Sequence, residues 1–225
     1  MEPGKKSRYM PALVAAAILG VLVVFWFTGV LATVKPIHSG ESSSASPGAG
    51  ASFDKVKYVD SIWTSRVIPT VEAKSADLGT VLTAIDANPD QACKTYGNNV
   101  GGAWGFLVSF SGKVRSADIE TPVGTITADV AVEKKERPVK VAIGPIILGS
   151  ALRDALAFMA FNQFYSEIQY AQVSDELNTR VTREVTSGLN GKVVVGKRIT
   201  VKGAFTYDQV NGGELVVTPV ILKLE

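Results

Sequence analysis

The chain has 225 residues, 46% of them hydrophobic, and a formal net charge of +2, which suits one sizeable domain plus an anchor and excludes two ordinary domains joined by a linker. Lys5, Lys6, Arg8 and Lys35 against Glu2 and Glu41 account for that whole charge, so everything from Phe53 onward is neutral and lacks the clustered basic surface that nucleic-acid binding needs. Cys93 is the only cysteine, which excludes an intramolecular disulfide and a Cys-rich metal site.

Met10 to Val34 carries no charged residue, and Lys5, Lys6 and Arg8 precede it. A membrane-crossing helix needs about 20 apolar residues to span a hydrocarbon layer of about 30 Å, and basic residues mark the cytoplasmic side. The expectation is a cytoplasmic tail at 1–9, a single-pass transmembrane signal anchor at 10–34 and an extracytoplasmic remainder. A cleaved signal peptide is the rival reading, since Val30, Leu31 and Ala32 offer a small-residue cleavage site. Signal peptides have apolar cores of about 7 to 15 residues, however, and this run is longer. Residues 35–52, with the run SGESSSASPGAGAS, are too small and polar to bury a core and read as a flexible Ser/Gly tether. His38, the sole histidine, lies at its edge without partner residues, which removes every Ser-His or Cys-His catalytic arrangement.

The remaining stretch, 53–225, opens with helices. Ser75 precedes ADLGTVLTAIDA, in which Leu78, Val81, Leu82 and Ile85 recur at helical spacing. Asn88-Pro89 starts a short helix that holds a buried, inert Cys93 and stops at Gly97. GNNVGGAWG, residues 97 to 105, reads as a Gly-rich link before a strand; it matches neither phosphate-binding glycine pattern.

The period then drops to two. Phe106, Val108 and Phe110 share one face of a first strand, Ile126, Ala128, Val130 and Val132 one face of a second, and Lys140 to Ile143 forms a short third. At the far end, β-branched runs flank Asn211-Gly212-Gly213, a hairpin signal. Gly196 and Gly203 interrupt those runs as bends or bulges, and Pro219 places its strand at an edge or rim. Gly-punctuated strands with helices inserted between the third and fourth predict an α+β domain built on a small Greek-key barrel.

The insertion contains GSALRDALAFMAFNQFYSEIQYA, residues 149 to 171, expected as a helix over 151–165 that is apolar all round and therefore buried. A second helix is expected from Ser174, with Asp175 and Glu176 in its first turn and Leu177, Val181 and Val185 on one face. Arg153 and Asp154 are adjacent, about 100° apart on a helix, and are not expected to pair. Two readings of these polar residues stand. Arg153, Asp154 and Asn162 form a ligand-binding set at a helix start, or Asp154 complements the helix dipole while Arg153 and Asn162 satisfy carbonyls of the barrel beneath.

These segments also carry a resemblance. Gly144-Pro145, GSALRDALAFMAFNQF, QYAQVSDELN, the GAF at 203–205 and the terminal TPVIL, with SRVIPTVEAKSADLGTVLTAI and TYGNN upstream, resemble the bacterial family called domain of unknown function 2291, described as predicted periplasmic lipoproteins. The resemblance implies an OB-like fold over about residues 56 to 223 and, from the neighbourhood in which family members are encoded, an association with ATP-binding-cassette sugar transporters and their sugar-binding proteins. The chain departs from the family in lacking a lipid-bearing Cys after the apolar run and in having Ser166 and Glu167 where an Asn-Gln pair is usual.

Together these features predict a membrane-anchored, extracytoplasmic, non-enzymatic accessory or binding protein, since no nucleophile, base and orienting group can be assembled from the sequence. No metal, cofactor or nucleic acid is expected. The alternative is an OB-type module that binds glycan or another small ligand on its barrel face, with Trp63, Trp104, Phe106 and Phe110 as stacking surface.

Overall fold

The computed structural model describes residues 53–189, 194–208 and 214–225. The expected tail, span and tether at 1–52 and the hairpin signal at 211–213 lie outside these residues. Among the described residues no helix is long and apolar enough to cross a membrane.

The domain opens with α1 (Lys55–Ile62), a π-helical turn (Trp63–Val67) and α2 (Ile68–Lys74). Asp54 caps α1 by accepting from the Val56 and Lys57 amides, the usual role of a short acidic side chain at that position. A two-residue strand, β1 (Ala76–Asp77), precedes α3 (Leu78–Ala87). The cap of α3 is therefore Asp77, which accepts from the Thr80 amide, and not the expected Ser75, whose hydroxyl turns back to the Val71 carbonyl. Helix α4 (Pro89–Tyr96) begins with the Asn88 cap and Pro89 and stops at Gly97, with Cys93 fully buried, as the sequence predicts.

The Gly-rich link is more ordered than expected. Gly97–Val100 forms β2 and folds back antiparallel on β3 (Ala103–Asp118) through Gly101 and Gly102. Both turn glycines have positive φ, 60° and 98°, the backbone that a tight hairpin requires and that other residues resist. Strands β4 (Thr125–Val132) and β5 (Lys135–Ala142) follow as a meander. The third strand is longer than the expected Lys140 to Ile143, because the run Lys135-Glu136-Arg137-Pro138 pairs with β4 while its charges stay at the surface.

After the insertion come β6 (Arg198–Tyr207) and β7 (Val216–Leu224). The neighbours run β3-β4-β5-β7-β6, and β6 returns to β3, so five strands close into a barrel. β3 closes it by pairing β6 over Trp104–Lys113 and β4 over Gly112–Asp118. The β5–β7 contact is parallel and limited to Lys140↔Val216 and Val141↔Val217. Gly203 sits at a register shift opposite Pro219, on a stretch of β7 with a strand partner on one side only, which fits both expectations. Gly196, with φ of 85°, lies in the turn before β6 and not within a strand.

Two apolar cores result. Phe106, Val108, Ile126, Val139, Val201, Phe205 and Val217 fill the barrel with Leu78, Val81 and Cys93 of α3 and α4. The outward-facing Leu107, Ala204 and Val220 carry a second core shared with α1, the π turn and the insertion. Burial on both faces hides part of the period-two signal in β3 and β6.

The insertion departs furthest from expectation. Instead of one helix over 151–165 there is α5 (Ala151–Ala155), then extended backbone and turns with a 3-10 turn at Phe161–Gln163. The next helix, α6 (Glu167–Val181), starts seven residues before Ser174, capped by Ser166 accepting from the Gln169 amide. Ser174 and Glu176 are therefore mid-helix and buried, not in a first turn.

Candidate functional site

Side chains that bind backbone hold the insertion together and tie it to β2. Asn178 of α6 donates to the Ile147 and Gly149 carbonyls at 3.1 and 2.8 Å, and the Ser174 hydroxyl donates to the same Gly149 carbonyl at 3.2 Å. Asn98 of β2 donates to the Asp154 carbonyl at 2.7 Å. Gly105 of β3 lies directly under α5: a Cβ there would meet the Ala155 nitrogen at 2.5 Å. A side chain of any size would lift the insertion from the barrel.

Arg153 and Asp154 meet, contrary to expectation. The guanidinium Nε donates to Asp154 Oδ1 at 2.8 Å, and another guanidinium nitrogen lies 2.6 Å from the same oxygen. The flexible arginine stem folds around the end of a one-turn helix, so the angle between neighbouring Cβ directions does not limit the charged tips. Arg153 also donates to the Tyr170 carbonyl at 3.2 Å and sits 3.7 Å from the centroid of that ring, a cation–π contact. Asp154 Oδ2 accepts from the Ser150 hydroxyl at 2.6 Å. Both side chains are about nine-tenths buried, at 11% and 8% exposure, and each has its charge matched within the fold. Asn162 is exposed in the 3-10 turn, apart from this pair. The carbonyl-satisfying role anticipated for Asn162 belongs to Asn178, Ser174 and Asn98.

A cleft lies elsewhere, on the barrel face formed mainly by β4, β5 and β7, with Asp118 at the end of β3 and Thr206 of β6. None of Arg153, Asp154 and Asn162 lines it; its volume is about 500 Å³, within the range of small-molecule sites. One wall is the 143–150 segment, held by Asn178 from behind and by the 119–124 loop from the side. The Ile143 and Gly144 amides donate to the Gly124 carbonyl, and the Ile146 amide donates to that of Pro122. Gly149, with φ of 83°, lets this wall turn into α5.

The floor and wall are aliphatic, with Ala142, Ile147 and Val216, and Leu148 and Ile146 stand at the rim with 71% and 50% exposure. Thr125, Thr206, Thr218 and Ser150 contribute hydroxyls. Lys140 and Glu214 form an ion pair of 2.5 Å at the mouth, beside Asp118. Asp118 accepts from the Thr121 hydroxyl and from the Glu120 and Thr121 amides. Those hydrogen bonds, led by the Thr121 hydroxyl and aided by Lys140, hold its carboxyl below the ordinary carboxylate pKa.

Such a set can bind a ligand that is part aliphatic and part polar. Among the described residues no group of three or more His, Cys, Asp and Glu is placed to hold a metal. The four aromatic residues expected as a stacking platform for a glycan do not form one on the surface. Trp63, Phe106 and Phe110 are buried in the two cores, and only Trp104 is partly exposed. Strand alternation alone shows that Phe106 and Phe110 share the core face. The cleft itself carries no motif, because its residues come from all five barrel strands, the start of α5 and the loops between them.

The strand order and the insertion between the third and fourth barrel strands define an OB-fold domain. A crystal structure of an OB-fold protein from Thermotoga maritima shares this architecture, at 21% identity and a TM-score of 0.65, with 78% of this chain and 100% of that one covered. The chain belongs to the domain of unknown function 2291 family, predicted periplasmic lipoproteins, whose model matches residues 20–223. A search of curated proteins finds no match. The family places the domain outside the cytoplasm. Its description as a lipoprotein sits beside a chain whose one cysteine, Cys93, is buried in α4.

Proposed function

We propose that this protein is a non-enzymatic accessory module, tethered outside the membrane by residues 10–34, that captures a small ligand or a segment of a partner in the β4–β5–β7 cleft. The observation that carries the reading is the cleft itself. It lies on the barrel between the first inter-strand loop and the approach to β7, the region where OB folds bind their ligands, and it pairs an aliphatic wall with Lys140, Glu214 and threonine hydroxyls. The partner proposed is the sugar-binding component or the membrane part of a sugar transporter, as the family resemblance implies.

The test is co-purification of the tagged full-length chain from membranes of its own host, with and without added sugars, alongside sugar uptake in a deletion strain. Recovery of a transporter or sugar-binding component, lost in Leu148→Asp, supports the proposal. Leu148 is 71% exposed, so this change alters the rim and leaves both cores intact. If no such component is recovered and uptake is unchanged, the proposal fails.

A further inference from the structure

Beyond the cleft, one surface presents large apolar side chains to solvent. The short segment from Phe161 to Ile168 presents Phe161 at 48% exposure, Tyr165 at 99% and Ile168 at 70%. Large apolar groups exposed together mark contact with a protein or a membrane. What lies behind them is ordered: Phe161 and Phe164 both pack on Tyr170, at 5.5 and 5.3 Å between ring centroids. The same ring cluster receives the start of the described domain, since Phe53 contacts Phe164 at 6.3 Å and Tyr58 at 5.7 Å. The chain therefore joins the domain beside this aromatic ledge.

We infer that the ledge of Phe161, Tyr165 and Ile168 rests on the outer surface of the lipid bilayer. The inference rests on the reading of 10–34 as a membrane anchor. Only the 18 residues 35–52 separate the proposed anchor from Phe53, so the point of attachment lies at most roughly 65 Å of fully extended chain from the membrane. Tyrosine suits this position because its ring is amphipathic, and aromatic rings concentrate at the headgroup level of membrane proteins. Charge adds little here. Lys57 is 85% exposed but lies 3.7 Å from Asp54, and Glu167 is exposed within the ledge itself. Apolar contact drives the docking, and anionic lipid is not required.

The test uses the full-length chain reconstituted into phosphatidylcholine vesicles, with a nitroxide label at Asn162→Cys and, separately, at Ile119→Cys beside the cleft. Cys93 is buried and does not react. Carbonate-resistant flotation reports the anchor. The label at 162 is expected to collide several-fold less with a water-soluble nickel chelate, and more with oxygen, than the label at 119. Adding Phe161→Ser, Tyr165→Ser and Ile168→Ser should return it to water. A chain that does not float overturns the anchor and the docking together. A chain that floats with both labels equally open to nickel overturns the docking alone. Shielding of the 162 label from both reagents assigns the ledge to a protein partner or a second copy and also overturns it, as does docking that appears only with anionic lipid.

Discussion

Inside the barrel, Phe106 stacks on Phe205 at 5.0 Å with the rings 12° from parallel, surrounded by Val108, Ile126, Val139 and Val201. On its outer wall, Leu152, Leu156, Met159, Val173 and Leu177 are equally dry, but Asp154, Ser174, Glu176 and Asn178 are buried among them. The difference follows from the backbone. Barrel strands satisfy their own amides and carbonyls through the ladders, so their interior can be wholly apolar. The irregular 143–164 segment has no ladder, and an unpaired buried carbonyl is costly. Side chains of α6 and β2 supply the missing donors instead. The barrel is held by packing and the insertion by packing plus a few specific polar pins.

The largest expected effect probes the packed side. Phe106→Ala removes the stacked ring and leaves a cavity, which in buried cores costs about 3–5 kcal/mol. Urea denaturation should show the whole domain shifting to a lower midpoint, with α5 and α6 losing structure at the same concentration as the strands. An insertion that melts separately from the barrel would break the comparison at its root.

On the pinned side, Asp154→Ala strips Arg153 of its carboxylate while leaving the guanidinium buried, a loss of about 3–5 kcal/mol for a broken buried pair. The double change Arg153→Met with Asp154→Leu replaces the pair by apolar volume and should recover most of that loss. Both are read by thermal or urea unfolding. If the double variant is no more stable than Asp154→Ala, then the pair contributes more than mutual neutralisation, and a ligand role for Arg153 regains support. Asn178→Ala is milder. It frees the Ile147 and Gly149 carbonyls, for about 1–3 kcal/mol, and hydrogen exchange should quicken across 143–150 while β3 and β4 keep their protection.

The two regions also differ in how well the sequence exposes them. The barrel is legible because Phe106, Val108 and Phe110, like Ile126, Ala128 and Val130, alternate with residues that face away from the core, and turn glycines separate the runs. The extra length of β5 is not, because Lys135, Glu136 and Arg137 hide its alternation. In the insertion, Ala, Leu and Met through 151–160 favour a helix by propensity, yet the chain leaves helical geometry at Leu156 so that Leu156 and Met159 reach the outer core. Tertiary packing overrides propensity there. Ser166 at a cap position and Glu167 after it were signals of where α6 begins, but Ser174-Asp175-Glu176 offers the same pattern and misleads. The cleft was not legible at all, since no short stretch contains it.

The smallest effect lies at alkaline pH and is confined to the pinned side. Burial raises the pKa of Tyr170, and of Tyr58 in the same ring cluster, above the ordinary 10.0, although Arg153 acts in the opposite direction on Tyr170. Below that ordinary value both folded and unfolded chains keep the phenolic proton, and the contribution is fully present. As pH rises past it, the unfolded chain releases the proton first, so stability falls until the folded pKa is passed. Tyr170→Phe should flatten part of this alkaline decline in unfolding free energy, at the expense of the hydroxyl donated to the Met159 carbonyl at 3.2 Å. An unchanged slope would mean that the Tyr170 ring is wetter than its packing against Phe161 and Phe164 implies, and that the polar pins enclose less of the insertion than their geometry suggests.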